Sequence, residues 1–305
     1  MKKLAPVFVI VAAALWAVDG IALRPILFTL PVPLVVFTES TIVALLLTPF
    51  MLKRFPILKI LSAKDWLAFF CVALFGGAVG TMAITKALFY VNFVNLSIVI
   101  LIQKLQPVFA LSLAALLLKE KLPRIFFLWA GLAVTGAYFM TFGLTAPNLE
   151  AGEKTTMAAL FSLMAAISFG SSTVLSKRAL QNVTFEMGTY LRFGFSSIIM
   201  LIIVLATGTL NNVTEISDAQ IFTFLLIAFT TGGTAIFLYY YGLKSIPASV
   251  AAICELAFPF TAIILEYILR ENILEPAQWA GAAVLLFSII QVSRPNSNQS
   301  ENIIR

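Results

Sequence analysis

A long apolar stretch that occurs twice in the sequence limits what this chain can fold into. Residues 101–136 form an apolar run with Pro107 in its middle, a short charged turn, and a second apolar run that opens on a Trp-Ala-Gly motif. Residues 253–281 repeat this order, with Pro259 in place of Pro107 and a second Trp-Ala-Gly motif. The copies lie half a chain length apart. The chain is therefore a duplication, and each half is a set of apolar helices that cannot bury itself alone.

The composition places these helices in a membrane. Hydrophobic residues make up 61% of the 305 residues and charged residues only 11%. A soluble domain carries roughly a quarter charged residues, so this chain cannot cover itself with a water-compatible surface. We therefore expect an all-α integral membrane protein of the inner or plasma membrane. The net charge of +6 does not indicate nucleic-acid binding, because the basic residues lie in short turns rather than on an extended basic face.

Ten apolar runs have the length of about 20 residues that a membrane span requires. They fall at approximately 4–24, 33–52, 65–85, 96–118, 124–143, 156–176, 185–208, 219–241, 247–269 and 275–293. The chain is accordingly divided into a first five-helix repeat at 1–144, a loop at 145–155, a second five-helix repeat at 156–293 and a polar cytoplasmic tail at 294–305.

The basic residues predict the orientation of the chain. Fourteen lysines and arginines fall in loops or tails on one side of the membrane, against Lys154 and Arg270 on the other. Because basic loops stay inside, both termini are expected in the cytoplasm. Each half holds an odd number of spans, so the second half begins on the opposite side. The two repeats are therefore predicted to be inverted, about a pseudo-two-fold axis in the membrane plane.

Further matches between the halves carry a family resemblance. The Gly-Thr pair at 80–81 matches that at 233–234, and Trp16 matches Phe169 at the same offset. Five-helix halves, each with a proline in the fourth helix, then an acidic turn, then Trp-x-Gly, resemble the drug/metabolite transporter superfamily, EamA type. The resemblance covers about residues 4–293. It implies ten helices and the movement, commonly outward, of small metabolites such as amino acids, nucleotide-type compounds or drugs.

Ionisable side chains inside the spans mark the candidate binding site, because each costs about 2.5–3.5 kcal/mol at the membrane centre. Lys104 and Glu255 lie about 12 Å from the start of their spans, close to the midplane. Arg24 is near a span end, where we expect it to reach the interface. We predict two pairs, Glu39 with Lys104 and Arg192 with Glu255. They are either static ion pairs or groups that exchange partners with a charged substrate or a proton.

Uncharged residues complete the predicted site. Pro107 and Pro259 each free a carbonyl in mid-helix, which a membrane tolerates only where protein or a cavity satisfies it. Gln103 and Gln106 could do so, or could bind ligand. The full set of predicted substrate contacts is Trp16, Thr81, Gln103, Lys104, Gln106, Phe169, Thr234, Tyr241 and Glu255. For the aromatic and threonine members, plain packing or interhelical hydrogen bonding is the alternative.

The sequence favours transport over catalysis. It has no histidine and only Asp19 among its aspartates inside a span, which excludes a histidine-dependent hydrolase, a histidine-ligated metal site and an aspartyl dyad. We predict a secondary transporter that moves an amino-acid-like or other polar or zwitterionic metabolite outward by alternating access, with no cofactor and no metal. A channel and a non-transporting scaffold are the alternatives. The expected partners are the small-molecule substrate and the lipid bilayer, not nucleic acid, with the chain a monomer or weak homodimer.

Overall fold

The structure, a computed structural model, describes residues 4–91, 99, 102–146, 153–270 and 275–293, and within these ranges it contains helices and no β-strand. The α-helices are α1 (Ala5–Val18), α2 (Val32–Met51), α3 (Ala63–Val72), α4 (Gly80–Tyr90), α5 (Gln106–Leu117), α6 (Arg124–Phe142), α7 (Glu153–Ala179), α8 (Phe185–Thr207), α9 (Asp218–Ile227), α10 (Gly233–Ser245), α11 (Ala248–Cys254), α12 (Ala257–Arg270) and α13 (Pro276–Ser293). The predicted tail, and residues 147–152 of the predicted loop between the repeats, lie outside the described residues.

Eight helical stretches of the described chain are long and apolar enough to cross a membrane. Several combine two or three helices, because α1, α3 and α9 each continue through a π-helical segment: Asp19–Leu23, Ala73–Val79 and Ala228–Gly232. Two shorter apolar helices, Gln106–Leu117 and Ala248–Ala262, occupy the predicted fourth and ninth spans. The prediction of an all-α membrane protein is confirmed, and the eight long and two short helices are compatible with ten spans.

The main helix contacts come in corresponding pairs: a contact between a helix of one half and a helix of the other has a counterpart in which the halves are exchanged. Helix α1 packs against α10, and its counterpart α7 packs against α4. Helix α1 also contacts α12, just as α7 contacts α5. The second helices of the two halves, α2 and α8, pack together, as do the fifth helices, α6 and α13. Two-fold-related contacts of this kind are what a duplicated bundle needs, since each half buries its apolar surface against the other.

Two of the π-helical segments are also related by the duplication. Ala73–Val79 leads into α4 and Ala228–Gly232 into α10. Beyond each segment, a threonine hydroxyl donates to the carbonyl five residues before it, at 3.0 Å for Thr81 and 2.6 Å for Thr234. A π turn disturbs the regular hydrogen-bond ladder. These two threonines therefore repair the backbone of their own helix.

Helices α6 and α13 cross at backbone contact. A Cβ atom on Gly281 would lie 2.4 Å from the amide nitrogen of Met140 and 2.8 Å from the carbonyl oxygen of Gly136. Small residues permit such close approach between membrane helices. The glycine of the other Trp-Ala-Gly motif, Gly131, has nothing within 4 Å of its Cβ position. The two copies of the motif thus differ in packing.

This difference predicts opposite responses to one added methyl group. We expect Gly281→Ala to destabilise the protein by about 1–3 kcal/mol, because backbone atoms of α6 must move. Gly131→Ala is expected to be neutral or to stabilise its helix by up to about 1 kcal/mol, since alanine favours helices. Thermal unfolding in detergent, followed by the fraction that elutes as folded protein, measures both. Equal melting temperatures for the two variants would contradict the close crossing.

Candidate functional site

Two matching helix breaks form the centre of the candidate site. A turn at Lys104 precedes α5, and a turn at Glu255 separates α11 from α12. In both turns the next amide donates to the carbonyl three residues back, at 3.0 and 3.1 Å. Pro107 and Pro259 lie just after the breaks, within the first turn of the following helix, where a proline leaves no hydrogen bond unmade. The prolines therefore begin helices instead of kinking them from within. Residues of opposite charge occupy the equivalent breaks.

The breaks face a cavity of about 570 Å³ between the halves, a volume within the usual range of about 300–1,000 Å³ for small-molecule sites. Most of the predicted substrate contacts line it: Trp16, Thr81, Gln103, Lys104, Gln106, Phe169 and Glu255. Thr234 and Tyr241 are not among the lining residues. Thr234 is exposed on the outer surface of the bundle, and the Tyr241 ring packs against Phe8 and Phe185 at 4.7 and 5.0 Å. These two predicted contacts are wrong, because both side chains lie on the other face of α10.

Glu255 is held by hydrogen bonds from three helices. Its Oε1 accepts from the hydroxyl of Tyr239 at 2.6 Å and from Oγ1 of Thr173 at 3.1 Å. Its Oε2 accepts from the side-chain amide of Gln106 at 2.5 Å. Gln106 belongs to the first half of the chain, and the other two donors belong to the second. The carboxylate therefore ties the two halves together at the cavity wall.

Lys104, at the equivalent break, has fewer partners. Its Nζ donates to Oγ1 of Thr141 at 2.7 Å and lies 5.6 Å from the centre of the Phe142 ring. The residue is 5% exposed. In the described part of the chain, no carboxylate lies within 4.0 Å of it. An ammonium group has three donors, so Lys104 keeps donor capacity towards the cavity that it lines.

The predicted pair of Glu39 with Lys104 is wrong, because Arg24 takes the place of the lysine. The Arg24 guanidinium lies 3.2 Å from Glu39 Oε1 and 2.6 Å from Asp19 Oδ2, and it donates to Oγ1 of Thr85 at 2.9 Å. Arg24 is only 6% exposed, so it does not reach the interface as expected. The π-helical turn between Asp19 and Arg24 brings the two side chains together.

Arg192 and Glu255 both line the cavity, but among the described residues they form no ion pair within 4.0 Å, so the predicted direct contact is not made. Arg192 donates to the carbonyl oxygen of Gly76 at 2.9 Å and lies over the ring of Tyr240, 6.0 Å from its centre. Gly76 belongs to the π-helical segment after α3, and the Ser196 hydroxyl donates into the same segment at 3.4 Å. The Thr81 hydroxyl donates to the same carbonyl at 3.0 Å, so Arg192 and Thr81 together bind one backbone oxygen of the π-helical segment.

Buried polar atoms without a hydrogen bond cluster around the cavity. In the described chain, six side-chain atoms are of this kind. Five belong to residues that line the cavity: Asp19 Oδ1, Glu39 Oε1, Gln103 Nε2, Arg192 Nε and Thr231 Oγ1. Leaving such an atom unsatisfied costs about 1–3 kcal/mol, and native proteins leave few of them. The cavity wall therefore carries most of the buried polar atoms that make no hydrogen bond within the described chain.

Aromatic rings form the apolar part of the same cavity. The Trp16 ring lies 5.2 Å from the Tyr239 ring at an angle of 54°. Phe169, Phe193 and Phe258 also line the space. Rings arranged in this way, with polar atoms between them, suit a flat solute that carries hydrogen-bonding groups at its edges.

Comparisons with known proteins agree with this architecture. The model of the EamA-like transporter family matches residues 3–142 and 156–294. The chain is 44% identical over 289 residues to a protein of Fusobacterium nucleatum named riboflavin transporter ImpX, covering 94% of this chain and 97% of the relative. It is 26% identical over 243 residues to an uncharacterized transporter of Synechocystis, covering 76% and 67%. A solved crystal structure superposes with a TM-score of 0.71 over 95% of both chains at 16% identity, which shows a shared fold.

Proposed function

The chain belongs to the EamA-like transporter family, and we propose that it carries a flat heterocycle of the riboflavin type across the cell membrane. It is a multi-pass membrane protein that transports a small metabolite, and it is not an enzyme. The observation that supports riboflavin most directly is the 44% identity to a riboflavin transporter over nearly the whole of both chains.

The chemistry of the cavity supports this substrate class. Riboflavin has a flat three-ring system with carbonyl and N–H groups along one edge and a chain of hydroxyl groups on the other side. Trp16, Phe169 and Phe258 supply aromatic surface for the ring system. The unsatisfied amide of Gln103 and the donors of Lys104 suit the ring carbonyls.

An amino-acid-like zwitterion is the second candidate, and it rests on the opposite charges at the two breaks. Lys104 would bind a carboxylate and Glu255 an amine. Glu255, however, already accepts hydrogen bonds from three side chains, so an amine would have to displace at least one of them. Riboflavin requires no such displacement and is the better fit.

The transport mode that we propose is alternating access between inverted repeats. The halves at 1–144 and 156–293 would rock about the two breaks, with both termini in the cytoplasm and net movement outward. The matching packing of the two halves supports this mode, because an exchange of conformation between the halves would open the cavity to the opposite side of the membrane. Gln106 and Glu255 join the halves at the point about which they would move.

The stacking role of Trp16 can be tested by binding. We expect Trp16→Leu to weaken riboflavin binding about tenfold, since an aromatic contact contributes about 0.5–1.5 kcal/mol beyond its buried area. Trp129→Leu is the matched control. The centre of the Trp129 ring lies 5.5 Å from that of Phe287, and Trp129 does not line the cavity. Quenching of flavin fluorescence by purified protein gives both affinities.

Two results would contradict the proposed substrate. One is a wild-type protein that does not bind riboflavin at micromolar concentration. The other is displacement of bound riboflavin by amino acids as effectively as by riboflavin itself, which would favour the zwitterion.

A further inference from the structure

One wall of the cavity, made by Asp19, Arg24 and Glu39, presents hydrogen-bond acceptors. Two carboxylates share one guanidinium here. Arg24 directs both Nε and one terminal nitrogen to the same Asp19 oxygen, Oδ2, at 2.8 and 2.6 Å. Oδ1 of Asp19 is left without a partner. Counted as ionised groups, two carboxylates and one guanidinium leave this wall with an excess of negative charge.

Glu39 is the less firmly held of the two carboxylates. Its oxygens lie 3.2 and 3.3 Å from the Arg24 guanidinium, further than the closest oxygen of Asp19. Its Oε1 makes no hydrogen bond, and the residue is only 8% exposed. Glu39 lines the cavity and 11% of its side chain is accessible, so a bound solute meets the charge of this carboxylate.

The free donors of the cavity lie on other helices. Gln103 and Lys104 belong to the break before α5, and Arg192 belongs to α8, with Nε unsatisfied. A solute that fills this cavity therefore needs hydrogen-bond acceptors where it meets the donor side chains. It needs hydroxyl or N–H donors where it meets Asp19 and Glu39. A polyhydroxylated chain attached to a flat ring with carbonyls has this distribution.

We propose that Asp19 and Glu39 select the solute by its free hydroxyl groups and reject its phosphate monoester. This inference rests on the proposed function and adds a selectivity to it. A hydroxyl donates to a carboxylate oxygen, whereas a phosphate monoester brings about −1.5 to −2 charges and strong acceptors. Acceptor would then meet acceptor, and like charges would repel at short range in a site of low dielectric constant.

Lys104 offers the phosphate a competing place. It is a cation with spare donors, and it lies at the break before α5, whereas Asp19 and Glu39 lie on the first two spans. If the phosphate were bound at Lys104, the wall of Asp19 and Glu39 would have no influence on selectivity. The effect of Glu39 on the ratio of the two affinities therefore separates the two arrangements.

The experiment compares riboflavin with flavin mononucleotide as competitors for binding to the purified full-length protein. We expect the wild type to prefer riboflavin by about tenfold or more, and Glu39→Gln to narrow that ratio about fivefold or more, by removing one charge and one acceptor. Glu39→Asp keeps the charge but moves the carboxylate oxygens away from the solute. It should therefore lower the affinity for riboflavin, while flavin mononucleotide still binds poorly.

Glu186→Gln is the matched control. Glu186 pairs with Arg54 at 2.9 Å and does not line the cavity, so the wild-type ratio is expected. Elution as folded protein is checked for each variant. If Glu39→Gln does not fold, Asp19→Asn gives the same test through the other unsatisfied oxygen.

An unchanged ratio in the folded Glu39→Gln or Asp19→Asn variant would overturn the inference, as would a wild type that binds both flavins equally. A wild type that binds neither flavin would instead overturn the proposed function. The two failures are therefore distinguishable.

Discussion

Glu255→Gln is expected to reduce transport by about a hundredfold while the helical bundle remains assembled. The carboxylate accepts from Tyr239, Thr173 and Gln106, and a glutamine offers one acceptor oxygen and an NH₂ group that donates. At least one buried donor would lose its partner, at a cost of about 1–3 kcal/mol. The hydrogen bonds that connect the halves would also weaken, because a bond to an ionised acceptor is roughly twice as strong as one to a neutral acceptor.

Transport per molecule of folded protein, measured in proteoliposomes, tests this expectation. Glu215→Gln is the control, because Glu215 is exposed and accepts a hydrogen bond only from its neighbour Asn212 among the bonds described, at 2.9 Å. Its activity should equal that of the wild type. A Glu255→Gln protein that transports at the wild-type rate would show that this carboxylate has no part in the transport cycle.

Arg24→Met is expected to have the largest effect on stability. It removes the positive partner of Asp19 and Glu39 and leaves two carboxylates close together in a buried site. Breaking a buried ion pair by removing one partner costs about 3–5 kcal/mol, which is a large part of the stability of most proteins. We expect little folded protein in the membrane. Adding Asp19→Asn and Glu39→Gln should restore much of it, because no unpaired charge then remains.

The yield and melting temperature of the single and triple variants measure this coupling. Arg54→Met is the matched control: its pair with Glu186 is partly exposed, with 47% and 20% of the side chains accessible, and should contribute no more than about 1 kcal/mol. Normal folding of Arg24→Met, or a triple variant no better than the single one, would contradict the buried network.

The duplication makes much of this architecture predictable from the sequence. Repeated prolines and repeated Trp-Ala-Gly motifs fix which helices of the two halves correspond. The cost of a charge in hydrocarbon identifies Lys104 and Glu255 as cavity residues from their depth within the apolar runs alone. Both line the cavity at equivalent breaks. These inferences depend only on the order of residues along the chain and on the cost of placing a charge in the hydrocarbon of the membrane.

The partners of the charges are not predictable in the same way. Depth along a span does not determine which face of the helix a side chain occupies, and a π turn rotates every residue that follows it. A position near a span end predicts that Arg24 reaches the interface, yet the π turn after α1 directs it to Glu39. Arg192 binds a backbone carbonyl of the π-helical segment after α3, a partner that depth along a span does not predict.

The aromatic and threonine assignments show a related limit. Nothing in the run of tyrosines at 239–241 singles out Tyr239, yet this residue is 3% exposed and donates to Glu255. Consecutive residues of a helix point in different directions, so the run alone does not tell which of the three tyrosines faces the cavity. Thr234 repeats Thr81 in sequence, and both repair their own helices, yet only Thr81 lines the cavity. The two halves therefore differ at the cavity at a position where their backbones agree.

Counterflow of labelled riboflavin into proteoliposomes tests the central claim most directly. Vesicles that contain the wild-type protein and are preloaded with unlabelled riboflavin should accumulate label transiently above its equilibrium level, since a carrier exchanges solutes one for one at a single central site. Vesicles with Glu255→Gln should not. Equal uptake by empty and preloaded wild-type vesicles, or no uptake by either, would contradict a riboflavin carrier built around this cavity.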